Sequence, residues 1–236
     1  MIHGLILLVL LFILVILLQG MLLINFKTYK ESTGARAVTL ANNVFELSKE
    51  YGIPVVVCPN MLDLKDIARI YPGGVWAQHV DHEERGRATG WVPIELVKES
   101  GATGLVINHS EHKLSHEELG KVVEKARVFD LKTLIFTDSL EESVRVSAFT
   151  PDWIGYEPPE LVASKDTSVA RSKPEIIEKV VQAVPNIPIL VGAGVKDGED
   201  VRVSLKLGAR GIGVASGVVL ASDQKAAIRE LLEGWR

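Results

Sequence analysis

The chain has 236 residues, 47% of them apolar, and four more acidic than basic side chains. That length suits one large α/β domain or two small ones with a sizeable core, and the acidic balance excludes the basic footprint of a nucleic-acid binder. The single cysteine, Cys58, has no internal disulfide partner and reads as a buried, inert thiol in the apolar run 55–58.

Residues 1–20 come first and stand apart. Leu5 to Leu18 is unbroken Leu, Ile, Val and Phe, and no Lys or Arg occurs before Lys27. A membrane span wants about 20 apolar residues, and a signal peptide wants a basic start and a small-residue cleavage site. The segment can be a short anchor, an uncleaved signal-like stretch, or sequence upstream of the true start. Met21 sits directly before the first strand, so the third reading is preferred, with the domain running over 21–236 and membrane contact only if residues 1–20 are retained.

From Met21 onward, strands are predicted at 22–26, 55–58, 75–78, 104–107, 133–136, 153–156, 188–191 and 211–214. They are short and apolar on both faces, as parallel strands under helices are. Helices are predicted at 35–51, 62–71, 93–100, 115–129, 139–148, 173–184, 198–207 and 224–234. Ser115 with Glu118, Ser139 with Glu142 and Ser172 with Glu175 each fit a capping box, and Gly52, Gly101 and Gly208 mark helix ends. Eight strand–helix units in one uninterrupted domain predict a closed parallel (β/α)8 barrel. An open doubly wound sheet is the alternative, because periodicity does not show closure.

In such barrels chemistry gathers where strands end. The first strand ends on Asn25 and Lys27, two apart and so on one face; an amide and a cation there suit a small anion, though an isolated strand-end Lys more often points into water. The third loop carries His79, Asp81, His82, Glu83, Glu84, Arg85 and Arg87. It reads as a solvated or subunit-contact surface, with a metal site as the other possibility. The fourth strand ends Asn108-His109-Ser110-Glu111-His112, where a neutral imidazole could polarise a carbonyl and two His could instead bind metal. The sixth strand, Trp153 to Tyr156, ends on Glu157, and Pro158 and Pro159 hold that residue extended and send the chain into a loop. Taken alone, such a Glu is a rim residue in water. The seventh and eighth strands end Gly192-Ala193-Gly194 and Ala215-Ser216-Gly217, small-residue turns that let backbone amides approach an anion.

Together, Asn25-Phe26-Lys27, Ala77-Gln78-His79, Asn108-His109-Ser110-Glu111, Glu157-Pro158-Pro159-Glu160-Leu161, Gly192-Ala193-Gly194 and Ala215-Ser216-Gly217 resemble the triosephosphate isomerase family, in its short archaeal form. The resemblance covers Met21 to Arg236. It implies a TIM barrel that interconverts D-glyceraldehyde 3-phosphate and dihydroxyacetone phosphate in glycolysis and gluconeogenesis. It further implies a cytoplasmic homo-oligomer, dimer or tetramer, with no metal or organic cofactor.

By the same resemblance Glu157 is the proton acceptor, His109 the neutral electrophile and Lys27 the countercharge beside Asn25. Val162, Gly194, Ala215 and Ser216 line the substrate and its phosphate, and Glu111 supports the site. The pairing of a Glu base with a neutral His is a well-known property of this family and comes with the resemblance, not from the spacing. One departure is visible: the archaeal lid continues Gly-Thr-Gly, whereas this chain reads Ala163-Ser164-Lys165-Asp166-Thr167. Losing glycine restricts positive φ and close backbone approach. Two competing expectations are a metal-dependent sugar-phosphate epimerase using His79, Asp81, His82 or His109, and a catalytically silent barrel tethered by residues 1–20.

Overall fold

A computed structural model of the protein describes residues 20–158 and 168–236. Its parallel sheet contains β1 (Met21–Asn25), β2 (Val55–Cys58), β3 (Trp76–Ala77), β4 (Gly104–Ile107), β5 (Lys132–Thr137), β6 (Trp153–Tyr156), β7 (Ile189–Val191) and β8 (Gly211–Val214). The order β2-β1-β8-β7-β6-β5-β4-β3 sets the first strand beside the last, with Leu22 opposite Ile212. A bridge between Val57 and Val75 joins the two remaining edges, where the Val57 N–H donates to the Gly74 carbonyl at 2.9 Å. The sheet is therefore a nearly closed (β/α)8 barrel in a single domain, and the open-sheet alternative falls. β3 is shorter than the predicted 75–78, because at Gln78 a side chain takes over from the backbone ladder: its Nε2 donates to the Cys58 carbonyl across the seam at 2.8 Å.

The helices are α1 (Ala35–Tyr51), α2 (Leu64–Ile70), α3 (Ile94–Ser100), α4 (His116–Val128), α5 (Leu140–Ser147), α6 (Val169–Ser172), α7 (Pro174–Ala183), α8 (Gly198–Lys206), α9 (Ser216–Val219) and α10 (Gln224–Glu233). The four-residue helices α6 and α9 escape a periodicity reading, since four residues make barely one turn. Of the three expected capping boxes, only Ser115 with Glu118 closes reciprocally. Ser139 accepts the Glu142 N–H at 3.2 Å, but the Glu142 carboxylate turns elsewhere. Ser172 is the last residue of α6 and donates to the Ser168 carbonyl, so Pro174 opens α7 without a side-chain cap.

Strand alternation sorts the apolar residues into two layers. Leu22, Ile24, Val55, Val57, Leu105, Ile107, Ile154 and Tyr156 face the helices. Met21, Leu23, Val56, Cys58, Trp76, Val106, Leu134, Phe136, Trp153 and Leu190 fill the barrel. Glycine makes room for the two indoles: a Cβ on Gly104 would lie 2.6 Å from the Trp76 ring. Cys58 is fully buried, and burial pushes its thiol well above the usual range, which leaves no reactive thiolate.

Candidate active site

The same alternation carries several polar side chains inward at the carboxyl ends of the strands. Asn25 follows Met21 and Leu23; Glu157 follows Trp153 and Gly155; Gln78 follows Trp76. Asn25 and Glu157 border a cleft of about 390 Å³, lined among others by Leu23, Asn25, Lys27, His109, Phe136, Glu157, Gly192, Gly194, Ala215 and Ser216, while Gln78 bonds to Asn25 from behind. Seven of the eight residues expected to bind or react with substrate thus meet at one cavity. The eighth, Val162, lies outside the described residues, as do the altered lid segment and residues 1–19.

Each group is held by its neighbours. The Lys27 backbone adopts a left-handed φ of 49° and its N–H donates to Asn25 Oδ1 at 2.9 Å. Asn25 Oδ1 and the Lys27 carbonyl also accept from Gln78 Nε2 at 3.2 and 3.1 Å. Gln78 therefore ties the tops of β1, β2 and β3 together; its inward direction, two residues after Trp76, was readable from alternation. Lys27 Nζ lies 2.7 Å from Glu111 Oε1.

His109 accepts the Glu111 N–H on Nδ1 at 3.2 Å. A ring nitrogen that accepts carries no proton, so the neutral ring bears its proton on Nε2. Nε2 faces Glu157, 3.6 Å from Oε2. Burial, aided by the Lys27 charge, holds the His109 pKa down at about 4, so the ring is neutral at physiological pH.

Glu157 is the converse case. Only 8% of its surface reaches solvent, and Oε2 has no hydrogen-bond partner among the described residues. Desolvation pushes its pKa up to about 8, with Lys27 opposing; a carboxylate poorly solvated in this way is a stronger base. Two uncharged surfaces flank the His109–Glu157 pair. Phe136 stands edge-on to His109, ring centroids 5.3 Å apart and planes at 81°. Gly192 lies against the carboxyl, where an added Cβ would be 2.6 Å from Glu157 Oε1 and 2.8 Å from its Cγ. Neither contact was predictable without the fold.

Gly192→Ala should therefore displace the carboxylate and lower kcat by about tenfold or more, given that a misplacement of ~1 Å at a reacting group costs up to about 10²-fold. Steady-state kinetics on the folded variant measures it, and an unchanged kcat refutes the contact.

The third loop is bonded within itself and to the loop after β4. His79 Nε2 lies 2.9 Å from Asp81 Oδ1, Asp81 Oδ2 accepts the Val92 N–H at 2.6 Å, and the His79 ring stacks on His112 at 3.7 Å. Among the described residues no three His, Cys, Asp or Glu side chains converge as a metal site requires.

Comparison with known proteins places the chain among relatives of one kind. A family model described as triosephosphate isomerase matches residues 20–136 and 134–231. The triosephosphate isomerase of Methanothermus fervidus is 41% identical over 218 residues, spanning 91% of this chain and 98% of the relative. That of Methanocaldococcus jannaschii is 39% identical over 217 residues, 90% of this chain and 99% of the relative. That of Pyrobaculum calidifontis is 39% identical over 214 residues, 89% and 93% of the two chains.

Proposed function

The chain belongs to the triosephosphate isomerase family, and from that premise we propose how its side chains divide the work of interconverting D-glyceraldehyde 3-phosphate and dihydroxyacetone phosphate. The observation that carries the reading is the approach of His109 Nε2 to the partnerless Oε2 of Glu157, 3.6 Å apart in a buried cleft.

Glu157 removes the proton from the carbon next to the carbonyl. The C–H electron pair becomes the carbon–carbon double bond of an enediolate, and the carbonyl pair moves onto oxygen. Returning the proton to the neighbouring carbon gives the other isomer, so atoms and charge balance without an external electron carrier. The reading therefore calls for no metal or organic cofactor.

His109 donates from Nε2–H to the oxygen on which charge develops. A neutral donor fixed in place before reaction stabilises that charge with little reorganisation. Lys27, 2.7 Å from Glu111, supplies the positive charge that offsets enediolate and phosphate, and Asn25 holds the Lys27 backbone. Gly194, Ala215 and Ser216 form the phosphate end, where small residues leave the backbone amides approachable. The left-handed φ of 70° at Gly194 suits glycine.

The cellular setting belongs to the same proposal. The enzyme works in the cytoplasm as a homo-oligomer; the half-exposed Trp91, beside the charged third loop, is a candidate contact. Among the described residues no helix is long and apolar enough to cross a membrane.

The test is an isomerase assay of the full chain in both directions with EDTA present. Turnover of both triose phosphates is expected. Folded protein, verified by circular dichroism, that turns over neither one defeats the reading.

A further inference from the structure

His109 breaks the rule that places the other polar groups. On β4, Leu105 and Ile107 face the helices while Val106 faces the barrel. Continued alternation would send residue 109 outward, yet His109 lines the cleft. The reversal occurs at Asn108, whose φ of 60° is left-handed. That conformation is uncommon outside glycine, though Asn tolerates it better than most residues.

Asn108 is 1% exposed and its amide is engaged on both ends. Nδ2 donates to the Phe136 carbonyl at 2.8 Å and to Glu142 Oε1 at 3.0 Å. Oδ1 accepts the Leu114 N–H at 3.1 Å. Glu142 Oε2 accepts the Asp138 N–H at 2.8 Å and lies 3.5 Å from Lys113 Nζ, which also faces Asp138 Oδ2 at 3.4 Å. Glu142 has thus left the reciprocal helix cap its spacing suggests in order to reach the β4 loop. The loop's first turn is closed by the His112 N–H donating to the His109 carbonyl at 2.9 Å. Neither Asn108 nor Glu142 lines the cleft.

We propose that Asn108 and Glu142 are positioning residues: a buried amide–carboxylate clamp that turns His109 into the active site and fixes the direction of its Nε2–H. The proposal rests on the role given to His109 above. An amide bonded on both sides holds one rotamer, and a carboxylate fixed by Lys113 and the Asp138 N–H cannot follow if Asn108 moves. Without the clamp the loop 108–114 can relax and water can reach the imidazole, which loses both its aim and its desolvation.

The test compares Asn108→Gly, which tolerates the left-handed φ but deletes the three side-chain bonds, with Glu142→Gln and Glu142→Ala. Asn108→Gly and Glu142→Ala should lower kcat roughly 10- to 100-fold with KM changed less than about threefold. The pKa of His109, followed by NMR of labelled histidine, should rise toward the ordinary imidazole value. Asn108→Asp sets two carboxylates against each other and should be worse. Combining it with Glu142→Gln removes that repulsion, while a carboxylate at 108 still cannot donate to the Phe136 carbonyl, so about threefold or more of the lost kcat should return.

A kcat within threefold of the parent in Asn108→Gly, with the His109 resonances unmoved, overturns the clamp. So does a loss that follows melting temperature alone and is not recovered by the double variant. His109→Gln runs in parallel: if it is impaired while Asn108→Gly is not, only the clamp has failed. If His109→Gln itself keeps nearly full kcat, the assignment of His109 fails and the clamp's catalytic role falls with it.

Discussion

Glu157→Gln removes turnover while making the folded protein more stable above neutral pH. The amide cannot take a proton from carbon, and loss of a general base costs about 10²- to 10⁴-fold in kcat; the upper end is expected because, among the described residues, no other carboxylate lies as near His109 Nε2 as Glu157 does. Glu157→Asp keeps the base but draws it back by one methylene, and should lose roughly 10²-fold. The stability arm follows from the raised pKa. In the folded protein desolvation raises the Glu157 pKa to about 8, so the carboxylate that turnover needs is the minor form at neutral pH and grows as pH rises, whereas in the unfolded chain the proton leaves near the ordinary carboxylate value. Between those limits the folded state binds more protons, so folding stability falls as pH rises through the window. A shift of this size is worth on the order of a few kcal/mol. The Gln variant lacks that cost. Its melting temperature should match the parent near pH 4 and exceed it by several degrees at pH 8 to 9, at roughly 2–4 °C per kcal/mol for a chain of this size. Equal melting temperatures across that range would contradict the desolvated carboxylate, and near-normal turnover would remove Glu157 from its role.

His109→Gln is the second large effect. It deletes the Nε2–H that faces the reacting region but leaves a polar side chain of similar reach. Removing one fixed donor from a site where negative charge develops costs about 10²- to 10³-fold in kcat. KM should change little, because the charge forms only on the way to the enediolate. The depressed pKa of His109, about 4, gives a second readout. Protonation of the ring should not limit activity until well below the pH at which a free imidazole titrates, so a proton uptake by His109 near pH 6.5 would show that the ring is not desolvated. A His109→Gln enzyme within tenfold of the parent would assign carbonyl polarisation to another group.

Much of this molecule was written locally. Runs of four or five mostly apolar residues between helical patterns announced parallel strands under helices, though not their closure, and strand ends announced where polar groups gather. Alternation within a strand is a one-dimensional rule, so Asn25 and Glu157 could be placed inward from their own neighbours, and Cys58 could be read as inert from the run that holds it. The short turns α6 and α9 were not legible, since one turn has no period to detect, and the expected cap at Ser139 formed only in half.

What the tertiary structure alone decided is the direction of His109 and the electrostatics of the pair it forms with Glu157. Strict strand alternation alone would point the imidazole at the helices, although the family resemblance assigned His109 to the site. Its reversal depends on a left-handed Asn108 whose partners, Phe136 and Glu142, come 28 and 34 residues later. Likewise, a strand-end Glu is an ordinary surface acid until Gly192 packs against its carboxyl and the closed cleft leaves it only 8% exposed. Backbone alternation is fixed by bonds between neighbours, whereas desolvation and a strained dihedral are sustained by contacts that exist only once the barrel has closed.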